Sequence, residues 1–126
     1  MYELTHHIVS LPTSQYIQEY RNPEKFISFC QQCERYNRCW ACPPFEFNMD
    51  EYLSGYQQTY IIGTKITFET ATRNSCTTLE RHKTISLQAI ESARKIIDPR
   101  LLTLEHEYPD SRAFYAGTCH LCPLNS

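Results

Sequence analysis

Four cysteines fall within thirteen residues of the run Cys30-Gln-Gln-Cys33-Glu-Arg-Tyr-Asn-Arg-Cys39-Trp-Ala-Cys42-Pro-Pro-Phe45. A C-x-x-C pair sits on one turn with both sulfurs able to face one ion, and Cys30/Cys33 and Cys39/Cys42 make two such pairs. The five residues between the pairs let them reach back to a common centre, so the expected donor set is Cys30, Cys33, Cys39 and Cys42. Zinc ribbons place their pairs on separate hairpins about 15–20 residues apart, and this spacer is too short for that. Dense cysteine runs ending in Cys-Pro are more typical of iron–sulfur ligation, and the expected cofactor is a cluster, [4Fe–4S] in type, with zinc as the alternative. Charge does not separate the two, because four thiolates around Zn²⁺ or around a core of charge about +2 leave the same net charge.

Pro43 and Pro44 lack N–H groups and hold the chain extended after Cys42. Trp40, Phe45 and Phe47 would keep water off the sulfurs, and Arg35 and Arg38 would offset negative charge; the plainer alternatives are core aromatics and solvated surface charges. A thioredoxin-like dithiol normally opens a helix after a strand, whereas Cys39-Trp-Ala-Cys42 runs into two prolines in a loop. A second pair, Cys119-His-Leu-Cys122-Pro123, repeats the pattern near the C-terminus. Two thiolates make half a site, so this pair combines with ligands of the first group, takes the rest from a partner chain, or binds nothing. The first option allows a mixed set of Cys33, Cys42, Cys119 and Cys122 with Cys39 spare. His120 is an unforced ligand. His6 and His7 belong to a strand pattern, His82 to a helix surface, and Cys76 reads as a plain thiol.

Composition sets the background for this chemistry. At 126 residues and 14.9 kDa, with 41% hydrophobic residues, the chain suits a single metal-binding domain over 1–126. Twelve Lys+Arg against 14 Asp+Glu, a net charge of -2, leave no basic surplus for phosphates, so no nucleic-acid partner is expected. No apolar run approaches the ~18 residues of a membrane span, and the first residues lack the layout of a secretory signal. The expectation is a soluble, cytoplasmic protein with no membrane partner. In a reducing compartment seven cysteines point to metal or redox chemistry rather than disulfides. With three glycines in the chain, neither G-x-G-x-x-G nor a P-loop occurs.

The elements that must position the cysteines follow from periodicity. Alternation around Leu4, His6 and Ile8 predicts a strand ending before Pro12, and SQYIQEY predicts a helix. Asn22-Pro23 supplies an N-cap and an N1 proline for a helix that delivers Cys30 at its C-terminal end. Asn48 with Glu51 reads as a capping box for a brief helix that Gly55 ends. Tyr60, Ile62, Thr64, Ile66 and Phe68 share one face of a strand. Ala89, Ile90, Ala93, Ile96 and Ile97 fall at helical spacing in an amphipathic helix over Thr77–Ile97, with Glu91 and Lys95 on its wet side. Asp98-Pro99 is expected to restart a second short helix, and AFYAG to form a last strand beside the central one, reached by a right-handed crossover. The predicted fold is α/β: a small mixed sheet of about three strands covered by a long amphipathic helix, with a cysteine-rich loop.

Two separated motifs carry a resemblance. The run Cys30-x-x-Cys33-x-x-Tyr36-x-x-x-Trp40-x-Cys42-Pro43-Pro44-Phe45, with Ala116-Gly117-x-Cys119-x-Leu121-Cys122 some 70 residues later, resembles an uncharacterised family of cysteine-rich predicted metal-binding proteins, a domain of unknown function seen mainly in anaerobic bacteria and archaea. The resemblance covers nearly the whole chain. It implies a metal or iron–sulfur role for Cys30, Cys33, Cys42, Cys119 and Cys122, and names no reaction. Cys39 departs from the family pattern, in which that position is usually not cysteine. Asn125 stands where the family has another cysteine, and its members run further, so the chain is expected to be C-terminally truncated.

Three functions from different classes fit these observations. The first is a small iron–sulfur redox or accessory protein serving a redox or cluster-receiving partner protein. The second is a zinc-stabilised interaction module without redox chemistry. The third, an enzyme using a thiol or metal-bound water, ranks last: no Ser/His/Asp order, H-E-x-x-H motif or carboxylate cluster stands beside the cysteines, and an all-thiolate site has no open position. No catalytic residue is assigned.

Overall fold

The computed structural model describes residues 2–38 and 41–116. Among them two strands, β1 (Tyr2–Pro12) and β2 (Gln58–Phe68), pair in one sheet. The ring of Tyr2 meets that of Phe68 at 6.2 Å, His6 Nδ1 lies 2.9 Å from Thr64 Oγ1, and the Thr13 N–H donates to the Gln57 carbonyl at 3.0 Å. One strand rises as the other falls, so the pair is antiparallel.

The backbone divides into two compact units, one holding residues 2–6 and 64–116 and the other His7–Gly63. Each strand contributes to both. In the first unit the half-buried positions are Tyr2, Leu4, Thr64, Ile66 and Phe68, which is the apolar face read from the alternation. In the second unit Leu11 is buried and Thr59 half-buried, while Ile8, Val9 and Tyr60 are 64%, 59% and 66% exposed.

The second unit carries the cysteine loop. Helix α1 (Thr13–Tyr20) packs against α3 (Met49–Ser54), with Leu53 buried. The Arg21 guanidinium, just past α1, meets Asp50 in the first turn of α3 at 3.0 Å. Between them α2 (Pro23–Gln31) starts at Pro23, with Asn22 Oδ1 accepting from the Lys25 N–H at 3.1 Å. Asn48 Oδ1 likewise accepts from Asp50 and Glu51 N–H groups at 2.9 and 3.1 Å, and Gly55 caps the end of α3. Both asparagines satisfy amides that a helix start leaves open. The acidic Asp50 and Glu51 also suit that end of the helix dipole.

The first unit contains α4 (Thr70–Ser75) and α5 (Leu79–Glu107). Thr78 Oγ1 accepts from the Arg81 N–H at 3.2 Å and starts α5. Its buried positions include Ala89 and Ala93, as the helical spacing requires. Two expectations are corrected here, and one element is new. Helix α5 runs through Pro99 instead of restarting there: Arg94 Nε, one turn earlier, donates to the Asp98 carboxylate at 3.1 Å and Nη2 is ion-paired with it at 2.9 Å, a bridge across the turn from which the proline removes one backbone bond. The short helix α4 was not expected at all. The third strand is not formed: residues 111–115 have no regular structure, so the described sheet has two strands and no crossover.

The reason for the missing strand lies in Glu105. Its carboxylate accepts from Arg112 Nη1 at 2.7 Å and from the Ala113 N–H at 3.2 Å, so an amide that a ladder would need is spent on a side chain. The Ser111 N–H donates to the Tyr108 carbonyl at 2.9 Å and turns the chain. The Ala113 amide, with the Arg112 charge beside it, holds the Glu105 carboxyl below the usual glutamate range against the opposing effect of burial. A carboxylate whose pKa is depressed on folding stabilises the fold above its unfolded pKa, and that contribution disappears as pH falls through the folded value. Urea unfolding should therefore separate wild type from Glu105→Gln at pH 7, and the gap should narrow as the pH falls into and below the glutamate range. A gap that stays constant with pH would contradict this.

Candidate metal centre

Helix α2 brings Cys30 to its last turn, half-buried, and Gln32 caps the helix with its N–H directed at the Phe29 and Cys30 carbonyls. The chain then descends through turns. The Cys33 N–H donates to the Cys30 carbonyl at 3.0 Å, the Tyr36 N–H to the Cys33 carbonyl at 3.1 Å, and the Arg38 N–H to the Arg35 carbonyl at 3.0 Å. Cys33 is exposed. On the returning arm Cys42 is half-buried, and a cis peptide joins Pro43 to Pro44. The Asn37 N–H reaches across to the Pro43 carbonyl at 2.7 Å. This series of bonds therefore ties Cys30, Cys33 and the residue after Cys42 into one loop.

A recess of about 500 Å³ opens on the returning arm, lined by Asn37, Arg38, Cys42, Pro44, Phe45 and Phe47 among others. Phe45 and Phe47 lie 5.5 Å apart between centroids, and Phe47 continues to Tyr52 of α3 at 5.8 Å. Phe45 and Phe47 are 37% and 54% exposed, so they wall the recess without forming a closed core. Arg21, Arg73, Arg81, Arg94 and Arg112 are engaged through their guanidinium groups. Among the described residues Arg35 and Arg38 of the cysteine loop, and Arg100 on α5, have no such partner. Two uncommitted cations beside a group of thiols suit a centre that gathers negative charge.

Cys30 and Cys33 are free thiols, as a thiolate donor set requires. Their soft sulfur chemistry, shared by Cys42, suits zinc or an iron–sulfur core. Among the described residues no group of three His, Cys, Asp or Glu stands close enough together to hold a metal ion. Cys39, Trp40, Cys119, His120 and Cys122 lie outside the described residues, and so does the expected meeting of the C-terminal pair with the loop. Cys76 caps the end of α4, its Sγ donating to the Thr72 carbonyl at 3.4 Å. Sequence reasoning missed Asn37, which has a φ of 59°. The available signal was an asparagine ahead of two prolines, a residue type that tolerates the left-handed region.

The sequence model of a family described as predicted metal-binding protein (DUF2284) matches residues 16–124. The chain belongs to that family. The match takes in both C-x-x-C-containing motifs and all of α1 to α5 except the first residues of α1. No curated protein and no solved structure matches the chain. No helix among the described residues is long and apolar enough to cross a membrane.

Proposed function

We propose that the loop binds an iron–sulfur cluster, [4Fe–4S] in type, through Cys30, Cys33, Cys39 and Cys42, and that the protein is a small cytoplasmic redox or accessory protein. It passes electrons, or the cluster itself, to a partner protein. The observation that supports this reading best is the series of backbone bonds from Cys30 through Cys33 to the Asn37–Pro43 closure, which keeps both arms of the cysteine run in one loop. A bound cluster would supply one-electron transfer. The chain's own residues shape its surroundings: Arg35 and Arg38 offset thiolate charge, Phe45 and Phe47 limit water on one side, and the exposed turn at Cys33 gives a partner a short approach. Cys119 and Cys122 form a second thiolate pair within the same donor supply. No residue takes a catalytic role.

Protein purified without oxygen should be brown, with broad visible absorbance that bleaches on reduction and about four iron and four sulfide per chain. Colourless protein with stoichiometric zinc would replace this reading by the zinc-stabilised interaction module.

A further inference from the structure

Among the described residues the sheet has two strands, so β1 and β2 each leave one edge open. The Thr13 N–H on the Gln57 carbonyl, the His6 ring on Thr64 and Gly63 against the His7 carbonyl set the register, in which Ile8 faces Ile62 and Val9 faces Ile61. The odd-numbered residues of β1 therefore turn their N–H and C=O groups to β2, and the even-numbered ones, His6, Ile8 and Ser10, turn theirs to the open edge. Such an edge is a template for another strand, and soluble proteins guard theirs with charge, with proline or with a cover. From Leu4 to Leu11 β1 has no Asp, Glu, Lys, Arg or Pro, and Ile8 and Val9 at its centre are 64% and 59% exposed. The β2 edge is better guarded, with Lys65 inside the strand.

The chain exposes 10290 Å² of surface, against about 7000 Å² for a monomer of its mass and about 8500 Å² for two separate domains of half that mass. Either surplus exceeds the ~800 Å² that each partner buries in a stable complex. We propose that the β1 edge is occupied by a second copy of this chain, paired antiparallel with Ile8 on the two-fold axis. A two-fold interface must fit itself, and this edge does: each Ile8 exchanges both backbone bonds with its counterpart, each His6 faces a Ser10, and no like charges meet. The product is a four-stranded sheet with the row Ile62, Ile8, Ile8, Ile62 across one face, in place of a two-stranded ribbon that is marginal by itself. Pro12, which has no N–H, ends the new ladder. None of the cysteines takes part.

Sedimentation equilibrium of the full chain, in a reductant that keeps cysteines from linking chains, should give twice the 14.9 kDa mass, falling towards a single chain on dilution. Amide hydrogen exchange identifies the edge. The His6, Ile8 and Ser10 amides should gain protection as the dimer forms, those of Val9 and Leu11 should be protected at every concentration, and those of Tyr60 and Ile62 should stay fast. Ile8→Lys, at a site open to water in the single chain, should keep the far-UV circular dichroism and weaken association at least about a hundredfold, because two isoleucines leave the interface and two like charges face each other. Tyr60→Lys, on the other edge, should remain a dimer. A monomer at every concentration with fast His6, Ile8 and Ser10 amides would overturn the proposal and leave the edge to a different protein. Protection of those amides that does not change with concentration would overturn it in favour of a segment of the same chain. Dimers that survive Ile8→Lys, or are lost with Tyr60→Lys instead, would overturn the choice of β1. Should Ile8→Lys fail to fold, the wild-type exchange pattern decides by itself.

Discussion

Cys33→Ser protein, expressed and purified without oxygen, should lose essentially all of its metal, whereas Cys76→Ser should keep the wild-type amount. Replacing groups that only support metal ligands commonly costs about 10–100-fold in affinity, so removing a ligand should cost at least the upper end of that range. Cys33 stands in both donor sets considered, the loop set of Cys30, Cys33, Cys39 and Cys42 and the mixed set of Cys33, Cys42, Cys119 and Cys122. Cys76 stands in neither, and its thiol is engaged with the Thr72 carbonyl. The remaining serine variants then divide the sets. If the loop set holds the metal, Cys30→Ser and Cys39→Ser should empty the site and the Cys119→Ser/Cys122→Ser pair should keep it filled; the mixed set gives the reverse. Iron, sulfide and zinc analysis on matched preparations gives the answer. Full metal retention in Cys33→Ser would remove the cysteine run from the site.

The helix starts were legible because each rests on a local mechanism. Asn22 before Pro23 and Asn48 before Asp50 and Glu51 announce caps whatever the rest of the chain does, and the structure places both side-chain oxygens on the amides they should satisfy. The alternation from Gln58 to Phe68 likewise required a strand. Alternation does not say how far along a strand the apolar face stays covered: Thr64, Ile66 and Phe68 are half-buried, whereas Tyr60 and Ile62 of the same face are exposed. It does not say which direction a partner strand runs, either. Helix α4 was hidden because Thr-Ala-Thr-Arg-Asn-Ser contains mostly weak helix formers. Its last turn is held by contacts no pattern encodes, including the Ser75 hydroxyl on the Thr72 carbonyl at 2.7 Å. The AFYAG strand failed because a competitor from another turn of the sequence, Glu105, takes the Ala113 amide.

At the metal centre the residue types were legible and the geometry was not. Spacing alone groups Cys30 with Cys33 and Cys39 with Cys42, but the bond that joins the two arms runs between Asn37 and Pro43, neither of them a donor to metal. The guanidinium groups of Arg35 and Arg38 are uncommitted, but so is that of Arg100 on α5, so the lack of a partner does not by itself set the loop arginines apart from surface charges.

Asp98→Ala should be the most destabilising single change in the described part of α5, by about 3 kcal/mol or more. The Asp98 side chain is 5% exposed and that of Arg94 11%, with the guanidinium 2.9 and 3.1 Å from one carboxylate oxygen. Removing the acid leaves the cation in a place where water does not reach it well, and that penalty exceeds the modest net worth of the pair. The position adds a second cost. Residue 98 precedes a proline, which disfavours the helical conformation there, and Pro99 itself gives no N–H to the turn before it. The 94–98 bridge spans that weak turn, so its loss should also loosen the helix beyond Pro99, where Glu105 anchors the segment leading to Cys119. Urea unfolding should show the loss in midpoint, and backbone chemical shifts should report weakened helix over 99–107. Arg94→Met combined with Asp98→Ala should recover much of the stability, because the buried cation is removed together with the carboxylate that faces it, while Arg94→Met alone should not. If the single and double variants are equally unstable, the cost lies in the cavity or the proline turn and not in the stranded charge.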